Sequence, residues 1–219
     1  MSLWVKICGN TSLADAQLSI EAGAYAVGFV FAPSPRQVTP EQVAAIVPGL
    51  PRTAEKIGVF AQAGFDEIAA AVRVSGLTGV QLHFDAAPEL TAQLRTYFGE
   101  GLRIVRVLRL GAEATGSTQD LVPDPSADAV LVDSCSKTGS GGTGIAYDWK
   151  LAAETIFREA RIRKYIAAGG LSPFNVGEAI ATLRPWGVDV ASGVESAPGR
   201  KDPTKLRAFL ANARKVERS

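Results

Sequence analysis

The sequence is short of the residues that hold metals and cross-links. In 219 residues there are one histidine, one methionine and two cysteines. Two cysteines cannot build a disulfide framework, so a reducing compartment is the expected setting. One histidine, with no clustered cysteines or carboxylates beside it, gives a metal site no support. An excess of either charge is missing too, with 23 basic residues against 22 acidic ones. Nothing in that balance favours nucleic acid or a membrane surface as a partner. No apolar run reaches the roughly 18 residues that a spanning helix needs, and no basic-then-apolar leader opens the chain. The expectation is a soluble, cytoplasmic protein. No linker, composition shift or low-complexity tract divides it, so residues 1–219 are read as one domain.

What the chain does contain is a recurrence of short β-rich runs: LWVKIC (3–8), AVGFVF (26–31), KIGVF (56–60), GVQLHF (79–84), RIVRVL (103–108), DAVLVD (128–133), KYIAAG (164–169) and GVDVAS (187–192). Most are near-continuously apolar, as strands covered on both faces must be. Helix-period stripes lie between them: Val176, Ala179, Ile180 and Leu183; Leu206, Phe209, Leu210 and Ala213; and Leu90, Leu94 and Tyr97. Thr39-Pro40-Glu41-Gln42 reads as a capping box with proline at the first helical position. Ser172-Pro173 and Asp202-Pro203 repeat the cap-then-proline device, while Gly23 and Gly76 stand where helices should stop.

Eight strands alternating with helices predict an α/β protein, a single (β/α)8 TIM barrel. An open doubly wound sheet competes, but Cys8-Gly9-Asn10 after the first strand is not its GxGxxG fingerprint. Between the fifth and sixth strands, residues 110–128 have no clean helical stripe and predict a short or irregular helix.

In such a barrel the active site lies at the C-terminal ends of the strands. Strand one ends in Cys8, and the loop after strand two delivers Arg36. Strand four ends in Gln81 and His83, strand six in Asp133, strand seven in Gly169-Gly170 and strand eight in Ser192-Gly193. Glycines after strands seven and eight let backbone N–H groups approach an anion, so these loops read as a phosphate site, against the alternative of plain tight turns. The glycine-rich loop at residues 136–144 reads as a cover for the same ligand. Cys8 and Asp133 are the candidate acid–base pair. Each has a structural alternative, a buried inert thiol for Cys8 and a cap or ion pair for Asp133. His83 is a candidate for substrate contact or for a structural hydrogen bond. Gly9 reads as clearing space for a ligand beside the thiol, and Cys135 is assigned no role.

These residues sit in stretches that resemble the phosphoribosylanthranilate isomerase family over nearly the whole chain. The matching stretches are KICGN, GFVFAPSPR, KIGVF, VQLH, GGTGIAYDW, AGGLSPFNV and SGVESAPGRKD. The resemblance implies a barrel enzyme without cofactor or metal. It would be an aldose–ketose isomerase acting on a small phosphosugar, as a monomer or homodimer. The reaction implied is the Amadori rearrangement of N-(5-phosphoribosyl)anthranilate to 1-(2-carboxyphenylamino)-1-deoxyribulose 5-phosphate in tryptophan biosynthesis. It also implies roles: Cys8 as general base, Asp133 as general acid and Arg36 on the anthranilate portion. Gln81 and His83 would line the substrate. The backbone of Gly169, Gly170, Ser192 and Gly193 would hold the phosphate, with Gly142 and Thr143 closing over it. The sequence departs from the family's usual pattern at Phe84, which replaces glycine in HGD, and at Ala191, where serine is frequent.

Two other readings compete. The sister isomerase of the histidine pathway would place an aspartate where Cys8 stands and would need a second phosphate site. A non-catalytic phosphate-binding barrel would have no use for Cys8 and Asp133 together.

Overall fold

The computed structural model describes residues 3–111, 124–135, 147–159, 162 and 164–217. Its eight core strands are β1 (Trp4–Ile7), β2 (Ala26–Val30), β3 (Glu55–Phe60), β4 (Gly79–Leu82), β5 (Arg103–Gly111), β6 (Ala129–Cys135), β7 (Tyr165–Ala167) and β8 (Gly187–Val190). They pair in parallel, in sequence order, and β1 closes on β8 to complete the barrel. Seven helices surround it among the described residues: α1 (Leu13–Glu21), α2 (Pro40–Ile46), α3 (Phe65–Ser75), α4 (Pro88–Phe98), α5 (Trp149–Thr155), α6 (Val176–Leu183) and α7 (Pro203–Glu217). None is long and apolar enough to cross a membrane.

The apolar residues divide into an inner and an outer layer because strand side chains alternate. One set fills the barrel interior, led by Trp4, Ala26, Ile57, Val105, Leu131 and Ile166. Their chain neighbours point outward, Val27, Phe29, Val80 and Ile104 against α1 to α4, and Val5, Ile7, Val132 and Val188 against α5 to α7. This double coverage is why the strands read as continuous apolar runs. The interior is closed at one end by Trp4 stacked on Trp186, with ring centroids 5.2 Å apart. Glu55 ties that end together, accepting from Trp4 Nε1 at 3.2 Å and twice from Arg103 at 2.7 Å.

Helix starts follow local chemistry. Thr39 Oγ1 accepts from the Gln42 amide, and the Gln42 side chain accepts from the Thr39 amide, completing the expected capping box. Asp202 caps α7 through the amides of Thr204 and Lys205. The start at Ser172-Pro173 is different: α6 begins at Val176, one turn later. Asn175 accounts for the shift, since its Oδ1 accepts from the Ser172 amide and its Nδ2 donates to Gly170 O, holding residues 172–175 as a turn. Leu94 is fully buried on α4 as its stripe predicts, but Tyr97 is exposed, set edge-on to Phe65 and beneath the Arg73 guanidinium. The irregular helix expected within residues 110–128 falls largely outside the described residues.

A small antiparallel hairpin follows β8, formed by β9 (Glu195–Ala197) and β10 (Arg200–Lys201). Gly199 turns it with φ +77°.

Candidate active site

The alternation that fills the barrel also carries polar residues up its inner wall to the mouth. On β1 the inward sequence is Trp4, Lys6, Cys8; on β6 it is Ala129, Leu131, Asp133. The register places Lys6 beside Asp189 and Arg109 beside Asp133 on neighbouring strands. Three connected groups result.

The first surrounds Cys8. A Cβ placed on Gly28 would lie 2.8 Å from Cys8 Sγ and 2.9 Å from Lys6 Cε, so thiol and lysine stem share the space this glycine leaves. Lys6, with no exposed surface, donates to Asp189 Oδ2 at 2.9 Å. Asp189 Oδ1 is buried and meets no hydrogen-bond donor among the described residues. Burial pushes the Cys8 thiol up, Lys6 opposes that shift, and Asp189 adds to it.

The second group holds Arg36. Its Nε and Nη2 clamp the Glu195 carboxylate at 2.6–3.1 Å. Glu195 also accepts from Lys201 Nζ at 3.0 Å, and the same ammonium donates to Cys8 O. Burial opposes charge on Glu195, but Arg36 and Lys201 outweigh it and hold the carboxyl below its ordinary range. The space above Gly9 (φ +73°) is occupied by the Arg36 stem, whose Cδ lies 2.5 Å from where a Cβ would stand. Gly9 therefore admits Arg36, where the sequence suggested room for a ligand.

The third group faces Asp133. His83 Nε2 lies 3.5 Å from Asp133 Oδ2. Gln81 Nε2 lies 3.3 Å from His83 Nδ1, and donation there leaves the ring proton on Nε2, toward the carboxyl. Gln81 Oε1 is buried without a hydrogen-bond donor among the described residues. Arg109 donates to His83 O. Burial, then the field of Asp189, push Asp133 up to about 6, while burial and Arg109 push His83 down to about 4. The buried Tyr147 hydroxyl, unpartnered among the described residues, feels the Asp133 charge. Behind them Gly169 (φ +78°) comes so close that a Cβ would stand 2.7 Å from Asp133 Oδ1 and 2.4 Å from Ser134 N.

The glycine loops after β7 and β8 meet each other. A Cβ on Gly193 would stand 2.0 Å from Leu171 O, so only glycine lets the loops pack. Gly170 also has positive φ, at +66°. Ser192–Val194 form a single 3₁₀ turn, whose first amides find no partner within the turn. Gly142 and Thr143 lie outside the described residues, as does the Cys135 side chain. Among the described residues no cluster of histidine, cysteine and carboxylates could hold a metal.

Cys8, Arg36, Gln81, His83 and Asp133, the candidates from the strand ends and the loop after β2, each lie in one of these three groups. Strand ends do not mark Lys6, Asp189, Glu195, Lys201 and Arg109, which set the charge around them. Counting back two residues from Cys8 along an inward face identifies Lys6, and the same count from Asp133 marks that strand's inner wall.

The residue pattern matches a known family. The model of N-(5'-phosphoribosyl)anthranilate (PRA) isomerase matches residues 5–212. The chain belongs to the PRA isomerase family. A relative named N-(5'-phosphoribosyl)anthranilate isomerase, from Magnetococcus marinus, is 43% identical and aligns over 99% of this chain and 98% of its own. Among solved structures, monomers of the dimeric isomerase of Thermotoga maritima superpose with a TM-score of 0.84 at 32% identity, covering 98% of this chain and all of that one. A PRA isomerase in complex with reduced 1-(o-carboxyphenylamino)-1-deoxyribulose 5-phosphate gives the same TM-score, identity and coverage. These barrels support the closed eight-stranded architecture along the whole length of the family match.

Proposed function

We infer that this protein is an aldose–ketose isomerase of tryptophan biosynthesis, converting N-(5'-phosphoribosyl)anthranilate to 1-(2-carboxyphenylamino)-1-deoxyribulose 5-phosphate. The observation that carries the reading is the pairing, in one barrel mouth of this family, of a buried thiol beside a lysine and a carboxyl held near neutral pH. An Amadori rearrangement needs such a pair, because an acid must open the sugar ring while a base removes a carbon-bound proton.

In the mechanism we propose, Asp133 donates its proton to the ribose ring oxygen, and the ring opens to a Schiff base with the aryl nitrogen. The Cys8 thiolate then removes the C2′ proton, acidified by the cationic imine. The resulting enolamine tautomerises to the ketone. Hydrogen lost at C2′ is matched by hydrogen gained at C1′ of the same molecule, so the reaction balances without external oxidant or reductant. Arg36 binds the anthranilate carboxylate, with Glu195 holding the guanidinium from its other edge. Gln81 and His83 line the sugar and fix the Asp133 carboxyl. The backbone of Gly169, Gly170, Ser192 and Gly193 holds the phosphate; Gly142 and Thr143, candidates for contact with the same ligand, lie outside the described residues. The protein works as a single catalytic domain, a monomer or homodimer of the cytoplasm, with a small phosphosugar as its partner.

Loss of substrate fluorescence, followed with purified protein, tests this. Cys8→Ser and Asp133→Asn should each lower kcat by about 10²–10⁴-fold while leaving affinity for the reduced product analogue nearly unchanged. A variant at either position that keeps most of its turnover removes that residue from the mechanism.

A further inference from the structure

A buried thiol in this mouth has to become a thiolate to take a proton from carbon, and its surroundings resist that. Four charged side chains act on it, and a fifth pairs with two of them. Lys6 lies on β1 beside it, Asp189 on β8, and Lys201 on β10 bonds its carbonyl. Arg36 comes from the loop after β2, and Glu195 on β9 neutralises Arg36 and Lys201. Asp133 on β6 feels both Asp189 and Lys6, and His83 after β4 feels Lys6. Arg36 and Lys201 are each paired with Glu195, and Lys6 and Asp189 are the two charged side chains that act most strongly on the sulfur.

Those two are poised against each other. The Lys6 stem and the sulfur flank the same point above Gly28. The ammonium donates to Asp189 Oδ2, while Asp189 Oδ1 has no donor among the described residues to spread its charge. A fully buried lysine is costly unless paired, and here a single carboxylate and the thiol are its neighbours. No substrate group is needed to explain the pair's ionic character, yet its position directly beneath Cys8 gives it a function.

We propose that Lys6 is the counter-ion of the Cys8 thiolate, and that Asp189 opposes it, so that this buried pair sets how readily Cys8 ionises. Lys6 and Asp189 are then positioning residues that act through the sulfur. The proposal rests on Cys8 being the base, and it deepens that reading by assigning what controls the base.

Opposite charges with opposite effects give a signature that loss of packing cannot imitate. Removing the cation leaves the thiol facing an unpaired carboxylate, and ionisation becomes harder. Removing the anion leaves it facing an unpaired ammonium, and ionisation becomes easier. The thiolate midpoint is read by ultraviolet absorbance, as the difference from Cys8→Ser, and by the pH dependence of iodoacetamide alkylation. All proteins carry Cys135→Ser so that one thiol reports. Lys6→Met should raise the midpoint and slow alkylation at neutral pH by about 10-fold or more, and Asp189→Asn should lower the midpoint and accelerate alkylation by a similar factor. Lys6→Arg should fall close to the parent protein. Midpoints that move together, or do not move, overturn the proposal. If Lys6→Met does not fold, Asp189→Asn decides alone: a lowered midpoint supports the assignment, and an unchanged or raised one overturns it. These measurements need no turnover, so they are separate from the activity test of Cys8 itself.

Discussion

His83 Nε2 lies 3.5 Å from Asp133 Oδ2, and burial inverts the order in which the two groups titrate. In water a carboxyl loses its proton well before an imidazolium does. Here the carboxyl is pushed up to about 6 and the imidazole down to about 4. Between those values Asp133 keeps its proton and His83 carries no charge, so the contact is not an ion pair. Above about 6, a neutral imidazole with its proton on Nε2 faces a carboxylate.

The first prediction concerns pH and rate. Because Cys8 is raised and Asp133 titrates near 6, the dominant form at neutral pH is thiol plus carboxylate. In the proposed mechanism the reactive form, thiolate plus acid, is then a small but constant fraction between the two midpoints. kcat/KM should be flat from about 6 up to the thiol midpoint and fall by about tenfold per pH unit below 6, as the thiol loses ground to protons with Asp133 already protonated. A steady decline on raising pH through 6 would contradict this assignment.

A second prediction turns the same shift into stability. The folded-state pKa of Asp133 lies above its unfolded value of 3.8, so the folded protein binds this proton more tightly. Stability from that proton is present at low pH and is lost as pH rises from about 4 to about 6. Asp133→Asn should therefore be catalytically impaired yet more stable at pH 7, by roughly 1–3 kcal/mol after allowance for relaxation. Thermal melts at pH 7 and pH 4 check it, and the gain must shrink at the lower pH.

Glu195 supplies the third. It holds Arg36 through three contacts and anchors Lys201 under the Cys8 carbonyl. Glu195→Gln keeps the shape but removes the charge. It should raise KM more than it lowers kcat, because the guanidinium loses its fixed orientation while Asp133 and its neighbours stay in place. Breaking a buried ionic network also costs about 3–5 kcal/mol, which a denaturant titration will register. An unchanged KM would mean that Arg36 does not depend on Glu195 for its placement.

The fourth prediction addresses the glycine loops. Gly193→Ala would place a methyl group 2.0 Å from Leu171 O, so the loops after β7 and β8 must move apart. Affinity for the reduced product analogue should fall at least about tenfold, with a stability loss of about 1–3 kcal/mol. Calorimetric titration of the folded variant separates the two effects. Undiminished affinity would take the phosphate away from these loops.

The barrel was legible in the sequence because strands covered on both faces leave unbroken apolar runs, and each of the eight runs coincides with a strand. Strand ends gave Cys8, Asp133 and His83 for the same reason, since the first polar residue after such a run lies at the mouth. Lys6 escaped because a lysine inside an apolar strand looks like its solvent side, whereas the register turns it inward against Asp189. Glu195 and Lys201 lie on a hairpin of three and two residues, too short to leave an apolar pattern. The late start of α6 depends on Asn175 bonding backward to Gly170 and Ser172, a tertiary choice that outranks the proline signal.

The apolar filling of the interior, ending in Trp4 stacked on Trp186, makes the cylinder one-ended. Traffic is therefore single-file: incoming sugar and departing ketone share one doorway, and neither can pass while the other is in residence. The stoppered end, by contrast, is a place where sequence could be appended without any communication with the chemistry.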